Sequence, residues 1–168
     1  MTDEIESLLS KYFLKGILVD TNILLLLFVG EANKDRITRF PRTEQFRLSD
    51  YDLLVDLLRR FKTIATTPNI LTEVNSLINQ LGEPDRSMCY EVFATRLPSL
   101  EETYLPGKEV ASLEWHFLSY GLTDCSMAEL AQNRYLVLTD DLKATSYLLS
   151  QGIDVVNFNN LRSDYMIM

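Results

Sequence analysis

Apolar positions fall into two rhythms along this chain, a helical spacing and short runs that are apolar at every residue. Ile5, Leu8, Leu9, Tyr12 and Phe13 keep the helical spacing behind Thr2, a cap candidate, with Asp3 and Glu4 in the first turn and Gly16 as the stop. Ile17, Leu18 and Val19 then run straight into Asp20, as in a parallel strand covered on both faces. The next segment, over 22–29, is apolar all round and predicts a core helix. Ser49 predicts the cap of a helix reaching Phe61, with Leu53, Leu54, Leu57 and Leu58 in its buried stripe, and a strand follows over 63–66. Thr67, Pro68 and Gly82 bracket another helix, whose apolar side runs through Ile70, Leu71, Val74, Leu77 and Ile78 with Glu73 beside it.

Further along, 83–120 reads as helices around 85–96 and 108–119, joined by a Pro-containing segment. Thr123 predicts the cap of another helix, and an apolar strand over 135–139 ends in Asp140 and Asp141. A helix over 142–150, a strand over 154–158 and a terminal helix from Asn159 complete the pattern. Alternating helices and apolar strands predict an α/β fold with a central parallel sheet. Neither a repeat nor a linker divides the chain, so 1–168 reads as one domain.

Composition narrows the chemistry. Hydrophobic residues make up 46% and charged residues 24%, the profile of an ordinary globular chain. The longest apolar run, Ile23 to Val29, is too short for a membrane, and the acidic amphipathic start is unlike a secretory signal, so the expected location is cytoplasmic. Cys89 and Cys125 lack a metal-binding spacing, and His116 is the single histidine, so acid-base or metal chemistry falls to carboxylates. A net charge of -8 argues against nonspecific coating of nucleic acid. A local basic stretch remains: Arg36, Arg39, Arg42 and Arg47 lie in an irregular connection over 30–48, which parallel-strand connectivity sends back towards the sheet edge where Asp20 lies. These arginines fit either an RNA-guiding surface or a solvated face with local ion pairs.

Asp20 by itself fits two jobs, capping the helix that follows or facing a crevice at the carboxyl end of its strand. The other acids bear on the choice. Asp140 ends a second strand, Asp124 opens the helix preceding that strand, and Glu73 lies early in a helix leaving the same edge. Bringing two such charges to about 5 Å costs on the order of 3 kcal/mol at an effective dielectric near 20, so a cluster persists only if protonated or metallated. An all-oxygen set selects hard cations, Mg²⁺ or Mn²⁺, and such ions promote phosphodiester hydrolysis.

The segments VDTNILL around Asp20, ILTEVNSL around Glu73, GLTDCSMAELA around Asp124 and VLTDD around Asp140 occur in an order that resembles PIN-domain nucleases, the family that includes VapC-like toxin ribonucleases. The resemblance spans most of the chain and implies a PIN-like three-layer α/β/α sandwich, a metal-dependent endoribonuclease and an RNA substrate. It carries over Asp20, Glu73, Asp124 and Asp140 as the catalytic acids, with Asp20, Asp124 and Asp140 holding one or two ions and Glu73 positioning a metal-bound water. Asn22 and Thr139 enter as polar support, Asp141 as a substitute for or helper of Asp140. It further implies a product with a 5′-phosphate, a homodimer and a protein antitoxin or inhibitor. The extra N-terminal helix and the long connection over 30–48 depart from a minimal toxin.

Two other readings share some of these residues. A noncatalytic PIN-like domain binding RNA or protein retains the fold without turnover. A haloacid-dehalogenase-like phosphatase also uses an acid after its first strand and a later acidic pair, but its second acid two residues on is Asn22 here.

Overall fold

Gly16 sits at φ +112°, and a Cβ there would lie 2.9 Å from the Thr63 carbonyl oxygen, so glycine lets helix α1 (Asp3–Tyr12) turn tightly into strand β1 (Ile17–Val19). The computed structural model describes residues 3–112 and 115–165, and the predicted cap Thr2 lies outside them. β1 is fully buried and pairs in parallel with β2 (Ile64–Thr66) on one side and β4 (Leu136–Thr139) on the other. β3 (Glu101–Glu102) and β5 (Val155–Asn157) complete an all-parallel sheet of five strands in the order β3-β2-β1-β4-β5.

Helix α2 (Thr21–Ala32) follows β1 with Ile23, Leu24, Leu25, Leu26 and Phe28 all buried, as its unbroken apolarity predicts. Against it pack α3 (Leu48–Leu58), α4 (Pro68–Ile78) and α5 (Asp85–Arg96), forming one layer. After the short α6 (Gly107–Ala111), α7 (Trp115–Ala131) and α8 (Leu142–Ser150) serve β4 and β5, and α9 (Phe158–Tyr165) ends the described chain. The crossovers run outward from β1 to β2 and β3, then from β4 to β5 in the opposite direction, and the right-handed sense that parallel crossovers take puts the helices of the two directions on opposite faces. The result is a three-layer α/β/α sandwich whose direction of winding switches between β1 and β4. Among the described residues no helix is long and apolar enough to cross a membrane.

Three local expectations change. β3 was not predicted, because Glu101 and Glu102 form an exposed two-residue edge strand with no apolar pattern to mark it. Ser49 does not cap α3; the helix begins two residues earlier than that cap implies, after Arg47, whose backbone N–H donates to the Asp50 carboxylate at 2.7 Å. α7 is two helices joined across a kink at the non-helical Gly121 (φ +79°, ψ -173°), so a helix does begin close to the predicted start, but the Thr123 hydroxyl donates to the Glu73 carboxylate.

Candidate functional site

Asp20 leaves β1 with its backbone N–H bonded to the Leu138 carbonyl of β4, which points the side chain over the carboxyl edge where the winding switches. It caps α2, accepting from the Thr21 N–H at 2.6 Å through Oδ1, while Oδ2 accepts from the Thr139 hydroxyl at 2.6 Å. Cap and crevice residue are therefore one and the same. Burial pushes the Asp20 carboxyl up to about 6, with Asp124 and Asp140 adding repulsion against the two hydrogen bonds. Thr139 is fully buried and also accepts from the Asp141 N–H at 3.1 Å, so one hydroxyl ties the ends of β1 and β4 together.

Glu73 comes from the second turn of α4, which Thr67 starts by accepting from the Ile70 N–H at 3.3 Å. Its two carboxylate oxygens are held separately: Thr21 donates to Oε2 at 2.7 Å and Thr123 to Oε1 at 2.5 Å. Three helices, α2, α4 and α7, thus meet on one carboxylate. Asp124 follows Thr123 on α7, and burial first, then Asp141 and Glu73, push its carboxyl up to about 6 against the pull of the Lys143 ammonium. Lys143 is fixed beside it, donating to the Ser119 carbonyl at 2.7 Å with its ammonium 4.9 Å from the Tyr120 ring centroid.

The structure treats the two acids after β4 differently. Asp141 lines the same cleft as Asp20, Asn22, Glu73 and Asp124, a hollow of about 440 Å³. Its Oδ1 caps α8 through the Lys143 and Ala144 N–H groups, at 2.6 and 3.0 Å. Asp140, carried over by the resemblance as a ligand, does not line that hollow. Asn22 donates to its Oδ1 at 3.2 Å and Gln45 to its Oδ2 at 2.8 Å, and Asn159 donates to its backbone carbonyl at 2.7 Å. A second hollow adjoins the first, sharing Asp20, Glu73 and Asp124 and extending to Asn69, Tyr120 and Leu122.

The connection over 30–48 does return to this edge, as Gln45 shows, but its arginines do not enter either hollow. Arg36 pairs with Asp85 at 3.4 Å, Arg39 bonds the Asp35 carbonyl at 3.1 Å, and Arg42 bonds Gln80 at 3.0 Å. Arg47 serves as the residue before α3. Gln45, Thr21, Thr123 and Lys143 are site residues that the sequence reading missed. The Thr21 and Thr123 positions adjoin two of the acids and were within reach of it, whereas nothing in the chain marks Gln45 or Lys143.

The donor set is entirely oxygen, and among the described residues no three acids stand close enough to enclose one metal ion. This arrangement fits a cation that takes one or two carboxylates and keeps its water, the habit of Mg²⁺, better than a fully protein-built cage. The raised carboxyl groups of Asp20 and Asp124 fit it too, since a cation relieves the repulsion that contributes to both shifts. No protein-family model and no curated protein matches this chain.

Proposed function

We propose that this protein is a divalent-metal-dependent endoribonuclease that hydrolyses RNA phosphodiester bonds, in the manner of the PIN-domain nucleases its motifs resemble. The observation that carries the reading is that Asp20, Glu73, Asp124 and Asp141, delivered by separate elements, line one cleft at the carboxyl edge of a parallel sheet. Asp20 and Asp124 are the residues that would hold the cation, with Asp141 beside them in place of Asp140. When bound, Mg²⁺ or Mn²⁺ supplies Lewis-acid stabilisation of the negative charge that develops on the phosphate.

The chain's own groups divide the remaining work. Two threonine hydroxyls orient Glu73, so its carboxylate is the group that positions an attacking water and takes up its proton. Lys143, at the cleft margin, offers a positive charge to a phosphate approaching an otherwise acidic surface. The second hollow, with Asn69 and Tyr120, gives the substrate chain room to pass the acids. A toxin role under a protein inhibitor belongs to the same reading through the family resemblance.

The test is cleavage of single-stranded and structured RNA, and of DNA, with Mg²⁺ or Mn²⁺ and with chelator, for the wild type, Asp20→Asn and Asp124→Asn. Divalent-dependent RNA cleavage leaving 5′-phosphate ends, reduced at least 100-fold in both variants, is expected. Cleavage unchanged in both variants overturns the site. No cleavage together with no calorimetric Mn²⁺ binding overturns the enzyme and leaves a noncatalytic binding domain. Release of phosphate from a generic monoester in place of RNA cleavage selects the phosphatase.

A further inference from the structure

At the opposite end of α2 from Asp20, a third cavity of about 520 Å³, separate from the two hollows at the sheet edge, opens between α2, α3 and the start of β2. Its size falls within the range of small-molecule sites. Leu27, Val55, Phe61 and Ile64 form an apolar wall, and the Tyr51 ring stands beside them. Tyr51 is seated by a missing side chain: a Cβ on Gly30 would lie 2.2 Å from the ring, so glycine at this helical position lets the ring press directly on α2. Lys34 closes over the ring at 5.5 Å from its centroid and is itself held by Asp52 at 2.6 Å. Tyr51 is therefore built into the wall and is not a loose surface ring.

The rim carries the opposite character from the rest of this acidic protein. Arg59, Lys62 and Arg96 border the cavity, against Glu31 as the one acid lining it among the described residues. Glu31 is occupied, with both oxygens accepting from Arg96 Nε at 3.0 and 2.9 Å. Arg59 has an exposed partner in Asp56 at 3.3 Å, a contact that solvent weakens. Lys62 is exposed and has no carboxylate partner among the described residues. An apolar wall beneath a cationic rim suits a molecule with an apolar body and one anionic head.

We propose that this cavity binds a small amphipathic anion, with the apolar part between Tyr51 and Phe61 and the carboxylate or sulfonate head against Lys62 and Arg59. The site does not depend on the acidic cleft or on its chemistry. The test uses the full chain with anilinonaphthalene sulfonate as a fluorescent probe, and octanoate or octylammonium as competitors of matched tail. One saturable site is expected, weakened at least 10-fold by Lys62→Glu and abolished by Val55→Trp, which fills the cavity. Octanoate should displace the probe at least 10-fold better than octylammonium, and Asp20→Asn should bind like the wild type. Because Lys62 is exposed, its variant tests the head contact without disturbing the core. Absence of saturable binding, affinity unchanged in Lys62→Glu, or octylammonium competing as well as octanoate overturns the proposal.

Discussion

At Asp20, burial and the neighbouring acids push the carboxyl up to about 6, while Thr139 and the Thr21 N–H pull it down. The folded protein therefore binds this proton more tightly than the unfolded chain. The resulting stabilisation is complete below about pH 4, the unperturbed carboxylate range, and is lost as pH rises through about 6. With roughly 1.4 kcal/mol per pKa unit, Asp20→Asn should stabilise the metal-free protein by about 3 kcal/mol at pH 7 and leave it little changed at pH 4. Urea denaturation with chelator at both pH values measures the difference, and an equal effect at the two would show that Asp20 carries no such strain. Glu73 is held by side chains from two helices, one hydroxyl on each carboxylate oxygen. Thr123→Val removes one donor and should cost about 1 kcal/mol of stability and about 10-fold in kcat with KM little changed. Thr123→Ser should restore both. A loss of stability without a kcat effect would make the hydroxyl a structural tie only.

The elements explain why neighbouring acids receive different work. β4 ends at Thr139, α8 begins at Leu142, and the intervening turn presents Asp141 to the cleft while Asp140 faces the connection over 30–48. There Arg162 of α9 donates to the Gln45 carbonyl at 2.7 Å, so α9 and Asp140 hold the same loop. Asparagine caps a helix about as well as aspartate. Asp141→Asn should therefore keep the melting temperature within a degree or two and lower cleavage at least 10-fold. Asp140→Ala should lose about 1–2 kcal/mol as the Asn22 and Gln45 amides lose their acceptor, with the smaller effect on kcat. Melting curves and single-turnover rates on the two variants check this, and the reverse ranking of rates would return the catalytic role to Asp140.

For the molecule as a whole, acids gathered at one sheet edge of a protein with net charge -8 favour a cation over nonspecific contact with polyanions. Binding to the native state alone stabilises it by RT ln(1 + [L]/Kd), about 2.7 kcal/mol at a concentration of 100 Kd. Mn²⁺ should therefore raise the melting temperature at pH 7.5. The rise should shrink at pH 5.5, where Asp20 and Asp124, both near 6, are mostly protonated and compete with the ion. Thermal scans across this range test it, and a rise that is independent of pH, or retained in Asp20→Asn, would place the ion elsewhere. The apolar helix α2 connects this edge to the far cavity, so the two proposed sites share one buried rod.

Periodicity alone determined most of the architecture, because burial on both faces leaves β1 and β4 apolar at every position and burial of one face leaves α4 with a stripe. It also carried the strand-end acids to one edge, since parallel strands share a direction. β3 escaped, as two exposed glutamates owe their strand to β2 and not to their own preference. Tertiary structure decided the rest: that Asp20 both caps α2 and faces the cleft, that Asp141 and not Asp140 lines it, and that the loop arginines turn to Asp85, Gln80 and their own backbone. Each of those outcomes depends on which donor lies a few ångströms away, and donors such as Gln45 and Thr123 come from segments 95 and 50 residues distant from the carboxylates they bind. Spacing along a chain records which face a residue occupies, but not which partner from another element will meet it there.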